Sequence, residues 1–148
     1  MEDLLAILVV DDDEFVQLAV QAILGSSGFE IVIASSGEQA VEMLNAADGK
    51  YRALVTDINL GRDKMEGWEL ANHAREISPG LPVVYISARA PGDWTSKGVP
   101  NSIMLSKPIA PAKLVTAVSQ LLRLTTMTVS SDASGAEIDQ RSQSIIVV

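Results

Sequence analysis

The 148-residue sequence contains no cysteine, a single histidine and no long hydrophobic run. The lack of cysteine excludes disulfide bonds and thiolate metal sites, and it fits a reducing compartment. No apolar stretch approaches the roughly 20 residues that a membrane-spanning helix needs. The acidic start, MEDLLAILVV, also lacks the basic region of a signal peptide. We therefore expect a cytoplasmic protein.

Basic residues are scarce as well. The chain has 11 lysines and arginines against 19 aspartates and glutamates, which gives a formal net charge of −8. Proteins that bind nucleic acids or anionic membranes broadly need a basic surface. We therefore expect neither a nucleic-acid partner nor a membrane partner, whereas binding of cations or basic protein surfaces is permitted.

Apolar residues make up 47% of the chain, which is enough for one domain with a single core. Short apolar runs alternate five times with segments of helical periodicity, and this pattern predicts an α/β fold with a parallel sheet and right-handed crossovers. The predicted strands are Leu5–Val10, Ile31–Ala34, Ala53–Thr56, Pro82–Ile86 and Ser102–Leu105. The predicted helices are Glu14–Leu24, one capped by Ser35 or Ser36 that continues to about Asn45, Gly67–Ile77, a short one near Gly92–Lys97, and Ala110–Leu124.

The first predicted helix follows directly after the first strand. Asp13 is expected to cap it or to lie in its first turn, where acidic residues are favoured. Gly25 is expected to stop it. Helical spacing predicts that its inward face consists of Phe15, Leu18, Ala19, Ala22 and Ile23.

The composition changes at Thr125. From there the sequence is polar, rich in serine and threonine, and without periodicity, so we expect one domain over residues 1–124 and a disordered tail over residues 125–148. The last four residues, IIVV, are apolar. They can dock on the domain, add to a sheet edge or have no structural role.

Polar side chains stand where the apolar strands end. Ligands bind outside the carboxyl ends of the strands in an open parallel sheet, so these side chains should converge on one edge, here called the rim. Carboxylates suit Mg²⁺, an ammonium group pairs with a phosphoryl group, and an aspartate can form an aspartyl phosphate. The rim residues are Asp11, Asp12, Asp13, Asp57, Ser87 and Lys107.

Four motifs in chain order, ILVVDDDEF, LVTDINL, VVYISA and MLSKP, end these strands. Together they resemble the receiver domain of bacterial two-component response regulators, of the single-domain chemotaxis-protein-like type. The resemblance covers about residues 5–124, so the receiver domain would occupy residues 1–124. It implies a flavodoxin-like (βα)5 doubly wound parallel sheet with strand order 2-1-3-4-5.

The resemblance also implies roles for individual residues. Asp57 would be the phosphoacceptor and would contribute to a Mg²⁺ site. Asp12 would ligate the ion directly, Asp11 would act mainly through a bound water, and Asn59 would offer its backbone carbonyl.

Two further residues belong to the implied phosphorylation chemistry. Ser87 would take the position of the switch hydroxyl, and Lys107 would be the lysine that pairs with the phosphoryl group. The family often has a cis peptide after this lysine, so the Lys107–Pro108 bond is a candidate.

The implied function is that of a stand-alone response regulator receiver. It would accept a phosphoryl group on Asp57 from a sensor histidine kinase or a phosphotransfer protein, with Mg²⁺ as cofactor. It would then signal through a conformational change to an unknown downstream protein, or pass the phosphoryl group along a phosphorelay. Its chemistry would be limited to self-directed phosphorylation and autodephosphorylation, so we do not expect an enzyme that acts on free substrates.

Two departures from the family pattern favour an alternative. The loop DINLGRDKMEGW has Gly61 where proline is common and is about two residues longer than usual, and Met104 stands where an aromatic residue is frequent. A phosphorylation-independent interaction domain with a receiver fold would fit both. A Mg²⁺-dependent phosphatase is a third possibility, because Asp11 and Asp13 form D-x-D, but that class normally needs a cap or a longer chain.

Overall fold

The structure is a computed structural model that describes residues 6–47, 51–61, 64–88, 97–130 and 144–146. Strands and helices alternate along the chain as the apolar pattern predicts. The strands are β1 (Ala6–Val10), β2 (Ile31–Ala34), β3 (Tyr51–Asp57), β4 (Val83–Ser87), β5 (Ser102–Ser106) and β6 (Ser144–Ile146). The helices are α1 (Glu14–Ser26), α2 (Gly37–Ala47), α3 (Gly67–Ile77) and α4 (Pro111–Ser130).

The strands form one parallel sheet in the order β2-β1-β3-β4-β5-β6. The first five strands therefore confirm the predicted flavodoxin-like order, 2-1-3-4-5, and β6 extends the sheet beyond β5. The short helix predicted near Gly92–Lys97 falls mostly on residues 89–96, which lie outside the described residues. Among the described helices, none is long and apolar enough to cross a membrane.

The core consists of two apolar layers, one on each face of the sheet. Every residue of β1 and β4 is buried, because helices cover both faces. Alternate residues of a strand point to opposite faces, so Leu8 and Tyr85 pack in the layer with α2 and α3, while Ile7 and Ile86 pack in the layer with α1 and α4. Packing on both faces thus holds β1 and β4 in place, and the carboxyl ends of both strands lie at the rim.

The predicted inward face of α1 is wrong except at Ile23, which is partly buried and packs against the core. Phe15 and Leu18 are 84% and 62% exposed, and the buried residues of the helix are Val20 and Leu24. The helix carries apolar residues on two sides, so periodicity alone does not decide which side meets the sheet. The outward side, made of Phe15, Leu18, Ala19 and Ala22, is here called the outer α1 face.

Two helix ends also differ from the prediction. Gly25 lies inside α1, which ends at Ser26, and the left-handed backbone conformation occurs at Gly28 with φ +93°. Helix α4 continues to Ser130 instead of ending near Leu124. Threonine and valine have low helix propensity, but adding residues to an existing helix is far easier than starting one.

Candidate functional site

The register of the central strands brings the rim carboxylates together. Val10 at the end of β1 pairs with Thr56 of β3, so the residues that follow, Asp11 and Asp57, lie side by side. One carboxylate oxygen from each of Asp11, Asp12 and Asp57 lies within 4.8 Å of the other two. Asp11 and Asp57 are buried, whereas Asp12 is exposed.

In the part of the chain that the structure describes, one ammonium group faces this cluster. The Nζ atom of Lys107 lies 3.1 Å from Oδ2 of Asp57 and 3.4 Å from Oδ2 of Asp11. The backbone N–H of Lys107 donates to the Ser87 carbonyl at 2.8 Å, which fixes the lysine at the end of β5. The Lys107–Pro108 peptide is cis, as predicted. Two buried carboxylates, those of Asp11 and Asp57, therefore share the Lys107 ammonium.

The backbone around Asp11 aims one of its oxygens at the rim. The Asp13 N–H donates to Oδ1 of Asp11 at 2.9 Å, and the Gln17 side-chain amide donates to the Asp11 carbonyl at 2.6 Å. Oδ2 of Asp11 is buried and, among the described residues, accepts no hydrogen bond. Its ion pair with Lys107 is shared with Asp57, so this oxygen is under-compensated.

Asp13, the third of the consecutive aspartates, interacts with α1. Oδ1 of Asp13 accepts the Phe15 N–H at 2.8 Å, which makes Asp13 the N-cap of the helix and confirms that prediction. The chain therefore divides its three consecutive aspartates between two tasks. Asp11 and Asp12 face the rim, and Asp13 stabilises the start of α1.

The electrostatics of the site reflect, above all, the burial of its carboxylates. Burial raises the pKa of Asp57, and the attraction of Lys107 only partly offsets this. Burial likewise raises the pKa of Asp11, with a further rise from the nearby Asp57. Burial alone would lower the pKa of Lys107, but its attraction to both carboxylates outweighs this and leaves the pKa raised. The site therefore favours the charged form of Lys107 but disfavours the charged forms of Asp11 and Asp57.

The start of α3 packs directly against the backbone of the candidate phosphoacceptor. The Gly67 N–H donates to the Ile58 carbonyl at 2.7 Å. A Cβ atom at Gly67 would overlap the carbonyl oxygen of Asp57 and would lie 3.0 Å from the Cα of Ile58. Only glycine permits this approach, so the start of α3 packs directly against the backbone of Asp57 and Ile58.

The lengthened loop after Asp57 reaches α2. The Met65 N–H donates to Oε2 of Glu38 at 3.3 Å, and a Cβ atom at Gly37 would lie 3.1 Å from the Met65 side chain. Gly61, with φ +122°, passes close to Asp12, since a Cβ atom there would lie 4.0 Å from the Asp12 carboxylate. The sequence indicated the extra length but gave no sign of this anchoring.

The structure places Asn59 and Ser87 at the rim without assigning their roles. Asn59 follows Asp57 by two residues, its backbone N–H bonds the Asp57 carboxylate, and its side chain accepts the Gly61 N–H at 3.2 Å. Ser87 is buried and ends β4 one residue beyond Ile86, the partner of Asp57 in the sheet. The carbonyl ligand at Asn59 and the switch hydroxyl at Ser87 stay predictions.

Met104 is buried in the same apolar layer as Trp68 and Tyr85. The rings of Trp68 and Tyr85 have centroids 4.7 Å apart, and the Tyr85 hydroxyl accepts the Val99 N–H at 3.1 Å. The aromatic contact is therefore made between β4 and α3, beside Met104, where the family often carries an aromatic residue. Sequence reasoning missed this hydrogen bond because Val99 is distant along the chain.

The residues at the rim fit a hard divalent cation. Three carboxylate oxygens within 4.8 Å of one another provide the donor type that Mg²⁺ prefers. Oδ2 of Asp11 supplies a further, structural reason, because this buried oxygen accepts no hydrogen bond from the described residues and shares its ion-pair partner, Lys107, with Asp57. The single cation that faces the cluster among the described residues, Lys107, does not balance it.

Comparisons with known proteins agree on a family. Residues 7–119 match the family model described as "Response regulator receiver domain". The chain is 33% identical over 129 residues to "Transcriptional regulatory protein PrrA" of Mycobacterium tuberculosis, covering 86% of this chain and 54% of PrrA. It is 31% identical over 121 residues to "Response regulator MprA" of Mycobacterium avium, covering 80% of this chain and 51% of MprA. The chain thus spans about half the length of these curated relatives.

Solved structures share the fold. The response regulator receiver protein from Sinorhizobium medicae WSM419 is 42% identical with a TM-score of 0.78, over 83% of this chain and 98% of that chain. The N-terminal domain of a response regulator/sensory box/GGDEF protein from Carboxydothermus hydrogenoformans is 30% identical with a TM-score of 0.69, over 84% and 98%.

The contact between Gly67 and the Asp57 backbone predicts a steep cost for any side chain there. Gly67→Ala should lower the free energy of unfolding by about 2 kcal/mol or more, because the new methyl group forces the loop after Asp57 to move. Gly25→Ala is the matched control. It has open space around its Cβ and lies inside α1, so it should raise stability by about 0.5–1 kcal/mol. Urea unfolding measures both, and equal effects would contradict this account.

The raised pKa of Asp57 predicts how stability depends on pH. A carboxyl whose pKa is higher in the folded state favours folding while it is protonated, and this contribution is lost as the pH rises through the folded pKa. Without divalent cations, Asp57→Asn should therefore raise the melting temperature at neutral pH. The gain should shrink as the pH falls towards the ordinary aspartate value of about 3.9.

Asp13→Asn provides the control for this measurement, because it removes a neighbouring negative charge while asparagine still caps α1. It should not raise the melting temperature at neutral pH. Calorimetric melts of all three proteins in a chelator test this, and an Asp57→Asn protein that melts at or below the wild-type temperature would contradict it.

Proposed function

The chain belongs to the family of response regulator receiver domains, and on that premise we propose that it accepts a phosphoryl group on Asp57. The phosphoryl donor is a phosphohistidine of a sensor kinase or of a phosphotransfer protein. The observation that carries the proposal is the geometry around Asp57, a nearly buried carboxylate with one lysine ammonium at 3.1 Å and two further carboxylates beside it. The whole arrangement lies at the carboxyl ends of parallel strands, where ligands bind in such sheets.

The proposed transfer is a displacement at phosphorus. A carboxylate oxygen of Asp57 attacks the phosphorus atom, and the new O–P bond forms as the P–N bond of the phosphohistidine breaks. The bonding electron pair leaves with the imidazole nitrogen, which takes up a proton. In autodephosphorylation, water attacks the same phosphorus, the O–P bond breaks, and inorganic phosphate leaves while the Asp57 carboxylate is restored.

The residues of the rim have two different roles in this transfer. Lys107, already 3.1 Å from Oδ2 of Asp57, pairs with an oxygen of the arriving phosphoryl group as a point charge. Asp12, Asp57, the Asn59 carbonyl and, through water, Asp11 would hold Mg²⁺. When bound, the ion neutralises negative charge that develops on the transferred group.

The change after phosphorylation is proposed to begin at Ser87. Its position at the end of β4, next to the strand that carries Asp57, puts its hydroxyl at the correct end of the sheet to bond a phosphoryl oxygen. Movement of Ser87 and the following loop would shift the balance between two states of the surface around β5 and α4. The domain acts on its own aspartate, so we do not propose turnover of free substrates.

The phosphodonor is proposed to dock beside the rim on the outer α1 face. Phe15 and Leu18 are 84% and 62% exposed on the helix that Asp13 caps, one turn from the carboxylates. A helical phosphodonor protein can cover this apolar face while its phosphohistidine reaches Asp57. PrrA is named a transcriptional regulatory protein, but that name describes PrrA, and the output of this chain is proposed only as binding of a downstream protein or phosphorelay partner.

A second candidate function is a phosphorylation-independent interaction domain. The outer α1 face favours it, because Phe15 and Leu18 are exposed and neither belongs to the rim. The two candidates differ in the Asp57→Asn variant. An interaction domain keeps full partner binding in that variant, whereas a phosphorylation-dependent receiver loses the change in partner affinity that phosphodonor treatment produces.

Phosphoryl labelling tests the leading proposal. Incubation with Mg²⁺ and a small-molecule phosphodonor such as acetyl phosphate or phosphoramidate should add one phosphoryl group, seen by intact-protein mass spectrometry. Asp57→Asn should abolish the labelling, and Asp13→Asn, which keeps its helix cap, should label like the wild type. The proposal fails if wild-type protein stays unlabelled with both small-molecule and kinase donors, or if Asp57→Asn labels equally.

A further inference from the structure

The proposed function does not use the apolar end of the chain. Ser144–Ile146 forms β6, which runs parallel to β5 with Ser102 opposite Ser144, Ile103 opposite Ile145 and Met104 opposite Ile146. β6 is the outermost strand of the sheet on that side, and no other described strand borders β5 there. Of the three possibilities that the sequence left open, the structure shows addition to a sheet edge.

The path of the chain explains the direction of β6. Residues 107–143 connect β5 to β6, and most of the first half of this connection is α4. A parallel neighbour requires a crossover of a dozen or more residues, usually helical. Helix α4 provides it, because it returns the chain towards the end of the sheet where β5 begins. A helix therefore lies between β5 and β6 in the chain, as α1 lies between β1 and β2 and α3 between β3 and β4.

The composition of the segment around β6 suits a strand at the edge of a sheet. The residues Ile145, Ile146, Val147 and Val148 are β-branched and uncharged, which favours extended pairing at a strand edge. The preceding residues 131–143 are mostly polar. A chain with a net charge of −8 thus ends in a short uncharged segment whose first half is paired to β5.

The ladder geometry identifies the backbone groups that β6 covers. The Lys107 N–H donates to the Ser87 carbonyl of β4, so the odd-numbered residues of β5 turn their backbone groups towards β4. Backbone groups of alternate residues face opposite sides, and Ser102 and Met104 therefore turn theirs towards β6. In a parallel ladder with this register, the backbone groups of Ile145 bond to those of Ser102 and Met104, while the N–H of Ile146 faces away from β5.

We propose that β6 is the resident occupant of the β5 edge and keeps that edge from pairing with β5 of a second copy of this chain. An uncovered edge strand presents a row of free N–H and C=O groups that pairs readily with another chain. The buried β5 residues Ile103, Met104 and Leu105 make it an apolar strand of that kind. Two copies related by a two-fold axis would pair their β5 edges antiparallel and join their sheets into one.

The β5 edge also lies next to the site. β5 ends at Ser106, and the next residue is Lys107, which contacts Asp57 and Asp11. A three-residue strand covers this edge, so it can be displaced more easily than the longer strands of the sheet. The proposal concerns pairing of the chain with itself, and it does not depend on phosphorylation of Asp57.

Two proline variants of the full-length chain provide a matched test. Ile145→Pro removes an N–H group that faces β5, whereas Ile146→Pro removes one that faces away and is compatible with an edge strand. We measure hydrogen exchange of the Met104 amide by NMR and the oligomeric state by sedimentation velocity. Both are run in salt high enough to screen the repulsion between acidic copies.

Ile145→Pro should speed exchange of the Met104 amide roughly ten-fold or more at concentrations where the variant is monomeric. At higher concentrations the same variant should form dimers, while wild type and Ile146→Pro stay monomeric with a protected amide. Unchanged exchange in Ile145→Pro overturns the assignment of β6 as the occupant. Faster exchange without any dimer overturns the guarding role. A wild-type dimer that Ile145→Pro dissociates overturns it as well, because β6 would then pair between copies.

Discussion

The interaction on which the site depends is the sharing of one lysine ammonium between buried carboxylates. Lys107 lies 3.1 Å from Asp57 and 3.4 Å from Asp11, and Asp12 stands within 4.8 Å of both carboxylates. At an effective dielectric constant of about 20, each pair of like charges at this spacing costs roughly 3–4 kcal/mol. One cation offsets only part of that repulsion. Counted over the described residues, the rim therefore carries more negative than positive charge.

The rest of the fold keeps this unfavourable arrangement in place. Parallel pairing of β1 with β3 sets Asp11 beside Asp57, and the end of β5 delivers Lys107 across β4. Gln17 and the Asp13 N–H fix the backbone and one oxygen of Asp11, so that its other oxygen stays directed at Lys107. A loop that could relax would let the carboxylates move apart into water, and their oxygens would no longer lie within 4.8 Å of one another.

Much of this could be predicted from the sequence because strand ends are local features. An apolar run that stops at an aspartate identifies both the strand and the side chain at its end, and parallel topology then assembles Asp11, Asp57 and Lys107 at one edge. The inward face of α1 could not be predicted, because its two apolar sides satisfy the same periodicity. The contacts of Met65 with α2 and of Tyr85 with Val99 depend on distant segments, which no local pattern reveals.

The rim carboxylates are expected to bind a divalent cation in addition to pairing with Lys107, and calorimetric titration with Mg²⁺ measures this binding. We expect a single ion to bind per chain, with affinity weakened roughly ten-fold or more in Asp12→Asn. Asp13→Asn removes an equal charge from the adjacent residue but leaves the helix cap, and it should bind Mg²⁺ as the wild type does. Absence of binding to the wild type, or equal weakening by Asp12→Asn and Asp13→Asn, would contradict the account.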